Sequence, residues 1–168
     1  MHLTATPKRL PTLTPVGRPA SLHDQTPTSR LLIWGIRIIG PGYDPFAWLK
    51  ECERQMQPET GSLLLCHLTI LVRLIGADMA KRDARLRLNQ PCCGAITESE
   101  AILHDLLAIE ALPIESDVKG LLKDVLWNSL GAPSRSNSIN AVLAEIANLL
   151  DGGALPVIGS KALARVAA

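Results

Sequence analysis

Two adjacent cysteines, Cys92 and Cys93, are the residues of this chain best suited to chemistry. They lie in the loop Pro91-Cys92-Cys93-Gly94, four or five residues before Thr97, where a helix is predicted to begin. The positive end of a helix dipole stabilises a thiolate, and thiolates bind soft metals, exchange disulfides and are oxidised. A thiol redox or metal-binding site in this loop is therefore one functional alternative.

A metal site would need more ligands than this pair supplies. The further candidate ligands are Cys66, His67 and His104. Their spacing argues against zinc, because structural zinc ligands usually come in pairs two to four residues apart, whereas these residues are adjacent or isolated. Neighbouring residues on a helix also point about 100° apart, so Cys66 and His67 cannot easily bind one ion. We predict no cofactor.

The alternative without a chemical role is that the cysteines are structural. Cys52 and Cys66 would then be small core residues, and the Cys92-Cys93 pair would fill a tight turn beside Gly94. Four cysteines in 168 residues are too few for a disulfide scaffold. With no apolar run near the N-terminus that resembles a signal peptide, the sequence predicts a cytoplasmic protein with reduced thiols.

Other catalytic patterns are weak. His104-Asp105 could suggest an acid–base pair, but neighbours on a helix diverge and no serine lies in a nucleophile elbow. His67 on an apolar helix is more typical of a hydrogen-bonded core residue than of a ligand or base. Neither Gly40-Pro41-Gly42 nor Gly152-Gly153 extends to a phosphate-binding motif. We predict that the chain is not an enzyme.

A short basic strip is the third candidate. It contains Lys81, Arg82, Arg85 and Arg87. Four cations over seven residues could contact phosphates, and the helix after the strip opens like that of some helix-turn-helix regulators. However, the formal net charge is only +1, and the next helix has no cluster of Arg, Asn or Gln to contact base edges. A nucleic-acid-binding regulator remains an alternative, while a solvated charged face is favoured.

The elements that would position these residues are helices. Hydrophobic residues make up 47% of the chain and aromatic residues only 3%, which favours helices over a β-sandwich or barrel. Five or six helices are predicted. The first covers 29–39, the second follows Asp44-Pro45 and is closed by Pro58, and the third covers 63–77, opened by Ser62 and continuing to about Arg82. The fourth is capped by Thr97 and Glu100, the fifth is capped by Ser116, and the last lies around 139–150.

The inner faces follow from helical spacing. The second helix should bury Trp48, Cys52 and Met56; the fifth should bury Val118, Leu121, Leu122, Val125 and Leu126; the last should bury Ile139, Val142, Leu143, Ile146 and Leu150. Segment 63–77 is apolar on nearly every side, but Arg73 and Asp78 interrupt it too early for a transmembrane span. We therefore predict an all-α, single compact bundle packed around this long central helix.

The domain limits follow from composition. Residues 1–28 contain repeated prolines and threonines and predict a disordered tail. Residues 29–158 form the helical domain, and 159–168 are expected to be a loose C-terminal tail.

Three features together resemble a known family. The Arg30-Leu31-Leu32 helix, the Pro91-Cys92-Cys93-Gly94 loop and the acidic-capped helix 97–107 are similar to those of small helical bacterial proteins of unknown function from sphingomonad-type alphaproteobacteria. The resemblance covers 30–158, but the family pattern has one more cysteine in the loop. It implies a cytosolic bacterial protein and no particular activity.

Taken together, the sequence favours a non-enzymatic helical protein that acts through protein–protein contacts as a regulator or adaptor. It would bind a protein partner or assemble into a homo-oligomer. The motivation is the high apolar content, the apolar helix 63–77 and the missing catalytic motifs.

Overall fold

A computed structural model describes residues 21–131, 137–150 and 155–164. After a 3₁₀ turn at Leu22–Asp24, the helices are α1 (Pro27–Ile39), α2 (Phe46–Gln55), α3 (Pro58–Ala80), α4 (Glu98–Ala111), α5 (Ser116–Leu130), α6 (Asn137–Leu149) and the short α7 (Lys161–Ala164). Within those ranges the only β pairing is an isolated bridge between Ser21 and Ala95. The predicted all-α compact bundle is confirmed.

The helix starts are set by local caps. At α4 the predicted capping box is present, because the Glu100 N–H donates to Thr97 Oγ1 at 3.1 Å and the Thr97 N–H donates to Glu100 Oε2 at 2.9 Å. α1 begins at Pro27, before the predicted start at Ser29, because Thr26 Oγ1 caps it. Pro58 occupies the first turn of α3, where its missing N–H costs nothing, so α3 starts earlier than the predicted Ser62.

The most enclosed helix is α4, while α3 packs against α1, α2 and α6 as expected for a central helix. Every residue of α4 from Glu100 to Ile109 is buried, and α4 packs against α1, α5 and α6. α3 instead leaves Leu63 49% and Ile70 42% exposed. The sequence misleads here because the polar residues of α4 suggest a solvated side, whereas in the fold they are enclosed with their partners.

The orientation of α5 also differs from the prediction. Val118 and Leu121 were expected to face inward, but they are 41% and 68% exposed, and the buried residues are Leu126, Trp127 and Leu130. Lys123 Nζ lies 2.8 Å from Glu110 Oε2 at the end of α4, and Lys119 Nζ donates to the Glu110 carbonyl at 2.7 Å. These two contacts turn the lysine side of α5 towards α4.

The other predicted inner faces hold in most positions. Trp48 and Cys52 of α2 are buried and Met56 packs against the core. In α6, Ile139, Leu143 and Ile146 are buried, while Val142 and Leu150 lie partly buried at its edge.

The two predicted tails are partly ordered by contacts. Most of the proposed tail 1–28 lies outside the described residues, but Leu22 N donates to the Gly94 carbonyl at 2.7 Å, and Pro27 already belongs to α1. At the other end, Ser160, Ala162 and Leu163 are buried, so this part of the predicted loose segment is packed. Both segments gain their order from contacts with α4 and the loop before it.

Truncating a core residue of α4 should show how completely this helix is buried. Leu106 is fully buried, so Leu106→Ala should lower the free energy of unfolding by about 2–5 kcal/mol in urea denaturation followed by circular dichroism. The same change at exposed Leu121 of α5 should alter it by less than about 0.5 kcal/mol. Equal losses in the two variants would contradict the burial of Leu106 in the core.

Candidate functional site

A fully buried ion pair joins α1 to α4. Arg37 and Glu100 have side chains that are 0% exposed. The guanidinium and the carboxylate meet through two parallel bonds, Nε to Oε1 at 2.8 Å and Nη2 to Oε2 at 2.9 Å. Such bidentate pairs are the strongest and most directional of the charge-assisted hydrogen bonds.

The remaining donors of Arg37 bind the loop that carries the cysteine pair. Its Nη1 donates to the carbonyls of Gln90 at 3.3 Å and Cys93 at 2.5 Å, and its Nη2 donates to the carbonyl of Ala95 at 2.6 Å. A guanidinium has five N–H groups, so the two bonds to Glu100 and these three use them all. Arg37 thus acts as a template for the loop.

Both carboxylate oxygens of Glu100 also accept further hydrogen bonds. Its Oε1 also accepts from the Asn89 N–H at 2.7 Å, and its Oε2 accepts the Thr97 N–H bond of the capping box. Asn89 in turn donates its side-chain amide to the Ala95 carbonyl at 2.8 Å. The ion pair therefore holds both ends of the loop 89–97 and has no free polar atom to offer a ligand.

Sequence reasoning missed the role of Arg37. It used Glu100 as part of a cap and treated 29–39 as a simple apolar helix. The sequence did indicate a paired arginine at this position, because an arginine in the middle of an apolar helix is buried only when its charge is paired. What the sequence lacks is any indication that the partner is Glu100, 63 residues further along the chain.

The cysteine pair lies on the outside of this loop. Cys92 is exposed and Cys93 is half-buried, and all four cysteines of the chain are free thiols. A Cβ at Gly94 would lie 3.2 Å from His23 Nε2, so the turn packs closely against the 3₁₀ segment. The predicted tight turn is observed, and a redox role of these thiols stays a prediction.

The candidate metal ligands are dispersed. Cys66 is exposed on α3, and His67 beside it contacts the Leu63 carbonyl through Nδ1 at 2.8 Å. His104 is fully buried in α4. Across the described ranges, no three or more His, Cys, Asp and Glu side chains come together in a group that could hold a metal ion.

His104 and Asp105 do come close to each other, together with Ser29 of α1. His104 Nε2 lies 2.9 Å from Ser29 Oγ, and His104 Nδ1 lies 3.9 Å from Asp105 Oδ1. The order serine, histidine, aspartate is that of a hydrolase triad, but all three side chains are 0% exposed and 3.9 Å is too long for a hydrogen bond. No substrate could reach this serine in the folded protein.

Asp105 has a different task, which is to hold the C-terminal segment. Its Oδ1 accepts from the Ile158 N–H and its Oδ2 from the Ser160 N–H, both at 2.7 Å. Two charge-assisted bonds satisfy the buried carboxylate and bring the segment 155–164 onto α4. The histidine–aspartate neighbours are thus structural anchors.

The basic strip lies at the surface between α3 and α4. Lys81, Arg82, Arg85 and Arg87 are all exposed. Arg82 lies 3.8 Å from Asp78, and the groove of about 700 Å³ beside the strip is lined by Asp83 and Glu98 as well as by Arg85 and Arg87. The charge of this surface is therefore mixed rather than strongly positive.

An exposed apolar surface runs along α3. Its members are Leu63, Cys66, Ile70 and Ala77. α3 is long and apolar enough to cross a membrane by length and composition, with a mean hydropathy of 1.8 over 18 residues, yet only 33% of that window is buried in the fold. We call this surface, together with the charged residues Glu59 and Arg73 on the same side, the α3 face.

Comparison with known proteins adds no relative. No protein-family model matches the chain, and neither a curated protein nor a solved structure matches it significantly. The resemblance to the sphingomonad-type family therefore stays a prediction.

Neutralising Glu100 should destabilise the fold and release the loop. Glu100→Gln leaves the buried Arg37 charge without its counter-ion, which should cost about 3–5 kcal/mol in urea denaturation. Labelling of Cys93 by a thiol reagent should become faster in a Cys66→Ser, Cys92→Ser background. The control Glu98→Gln changes an exposed carboxylate in the same helical turn and should have little effect.

Replacing both partners tests the same pair when a single variant unfolds. The double variant Arg37→Met, Glu100→Leu removes both charges and should be more stable than either single substitution. A double variant that is less stable than both single variants would contradict a charge-based explanation.

Burial should also protect Cys52 from alkylation. Desolvation, with a smaller contribution from the Glu51 carboxylate, raises the pKa of the Cys52 thiol from 9.0 to about 12. The thiol is then protonated at pH 9, so mass spectrometry should find iodoacetamide on exposed Cys66 and Cys92 well before Cys52. Because the unfolded thiol ionises first, its contribution to stability is present below pH 9 and lost as the pH rises towards 12. Equal labelling of Cys52 and Cys66 would refute the protection.

Proposed function

We propose that this chain is a non-enzymatic, cytoplasmic helical protein that acts through protein–protein contacts, as a regulator or adaptor. The observation that carries the proposal is the α3 face, where a helix of high hydropathy leaves large apolar side chains in solvent. Contiguous exposed apolar surface on a folded protein is typical of an interaction site.

The α3 face is continuous along one side of the helix. Leu63, Cys66 and Ile70 follow one another at intervals of three and four residues, which places them in one row. Leu63 and Ile70 are 49% and 42% exposed. A partner that covered this row would remove two branched aliphatic side chains from water, and that burial is the usual source of binding energy at an interface core.

The charges on the same face favour a protein partner over a lipid bilayer. Glu59 and Arg73 are both exposed on α3. An arginine near the centre of a bilayer costs about 2.5–3.5 kcal/mol, whereas a protein surface can supply a carboxylate to pair it. The apolar residues of the α3 face favour its burial in an interface, and the charged residues favour a protein rather than a lipid bilayer as the other side of that interface.

The two alternatives have less support. A thiol function would use Cys92 and Cys93, whose loop is held by the Arg37 side chain through the backbone carbonyls of Cys93 and Ala95. Nucleic-acid binding would use the basic strip, whose groove also contains Asp83 and Glu98. Both remain predictions from the sequence.

Site-specific photo-crosslinking in host cells tests the proposal. A photoreactive residue in place of Ile70 should form adducts with protein, and Leu63→Asp should abolish them because a charge would enter the apolar contact. The same photoreactive residue in place of Leu121, which is exposed on α5, is the control and should form few adducts. Adducts with lipid alone, or equal yields at the two positions, would refute the proposal.

A further inference from the structure

We infer that the α3 face binds the α3 face of a second copy of this chain, with the two helices antiparallel and a two-fold axis close to Cys66. This inference rests on the proposed function and names its partner. Three observations support it: the spacing of the exposed residues, their symmetry about Cys66, and the signs of the two charges.

The exposed residues have the spacing of a helix-pairing seam. Glu59, Leu63, Cys66, Ile70 and Arg73 are all exposed, and the intervals between them alternate between four and three residues. Alternating intervals of three and four define the a and d positions at which two α-helices pack side by side. In a single copy these five residues stay exposed although α1, α2 and α6 pack against α3.

The row is nearly symmetrical about Cys66. Leu63 lies three residues before Cys66 and Ile70 lies four residues after it. In a two-fold interface, residue i of one copy meets residue j of the other, and j meets i. An antiparallel pair centred near Cys66 therefore places Leu63 of each copy against Ile70 of the other. The dimer interface then contains two Leu63–Ile70 contacts.

The charges select the antiparallel orientation. Glu59 and Arg73 each lie seven residues from Cys66, on opposite sides. No ion pair involves either of them in the part of the chain that the structure describes. The antiparallel pair joins Glu59 of one copy to Arg73 of the other at both ends of the seam. A parallel pair would instead oppose Glu59 to Glu59 and Arg73 to Arg73, and like charges in register repel.

Light scattering after size-exclusion chromatography tests the second copy. The full chain should give a mass near twice 18.1 kDa at micromolar concentration. Ile70→Asp should return it to the mass of one chain, while Leu121→Asp, the same change at an exposed leucine of α5, should leave the dimer intact. Because both positions are exposed, the circular dichroism spectrum should be unchanged in each variant.

Charge reversal tests the orientation. Glu59→Arg alone or Arg73→Glu alone should weaken dimerisation by about tenfold, because each converts two attractive pairs into two repulsive ones. The double variant Glu59→Arg, Arg73→Glu restores opposite charges across an antiparallel seam and should recover the wild-type dissociation constant. In a parallel seam neither single variant would weaken dimerisation, because like charges face each other at positions 59 and 73 before and after each change.

Cysteine oxidation gives an independent readout of the axis. Diamide accepts two electrons and two protons from a pair of thiols, and the two sulfur atoms form one disulfide. Cys66 of one copy and Cys66 of the other should be linked in this way, giving a covalent dimer on non-reducing gels. Cys66→Ser should abolish the product, whereas Cys92→Ser, at another exposed thiol, should not.

The results separate this inference from the proposed function. A wild-type mass of one chain, a dimer that resists Ile70→Asp, single charge variants that dimerise as tightly as wild type, or a double charge variant without recovery would overturn the antiparallel second copy. If the chain is monomeric and the residue at position 70 crosslinks to a different protein, this inference fails and the proposed function stands. If position 70 forms no protein adduct at all, both fail.

Discussion

The ion pair between Arg37 and Glu100 is the constraint on which much of this structure depends. Two charges removed from water cost several kcal/mol each unless every donor and acceptor is satisfied. Here the bidentate contact alone leaves three guanidinium donors and two carboxylate acceptor sites, and the backbone of 89–97 fills them. The separation of α1 and α4, and the path of the loop between α3 and α4, are therefore tied to one buried contact.

The same logic extends along α4. Glu100, His104 and Asp105 are spaced so that each meets a different segment: the loop and Arg37, Ser29 of α1, and the backbone at Ile158 and Ser160. Three polar residues that would ordinarily mark a solvated side are enclosed because each has a partner elsewhere in the chain. α4 is enclosed along most of its length, whereas α3 packs against α1, α2 and α6 and still leaves Leu63 and Ile70 exposed.

Helix content, most helix limits and the Thr97 cap could be predicted from the sequence, because periodicity and caps are properties of residues within one or two turns. The candidate site could not. The tight turn at Cys92 and Cys93 before α4 was predicted. The role of Arg37 in holding that turn was not, because Arg37 lies in a segment that the sequence shows only as an apolar helix. The inward side of α5 was also wrong for Val118 and Leu121, because the lysine contacts to Glu110 that rotate the helix join residues from two elements.

What the sequence by itself determined is local: where helices begin, which side of each is apolar, and that the chain folds as an all-α bundle. Only the tertiary structure decided that α4 is enclosed from Glu100 to Ile109 and that Leu63 and Ile70 of α3 are left exposed. The physical reason is that burial of a polar residue depends on the partner it finds, and Arg37 and Glu100 find each other across 63 residues of chain. Hydropathy identified α3 as a helix that α1, α2 and α6 contact, whereas the enclosure of α4 depends on the partners that its polar residues find.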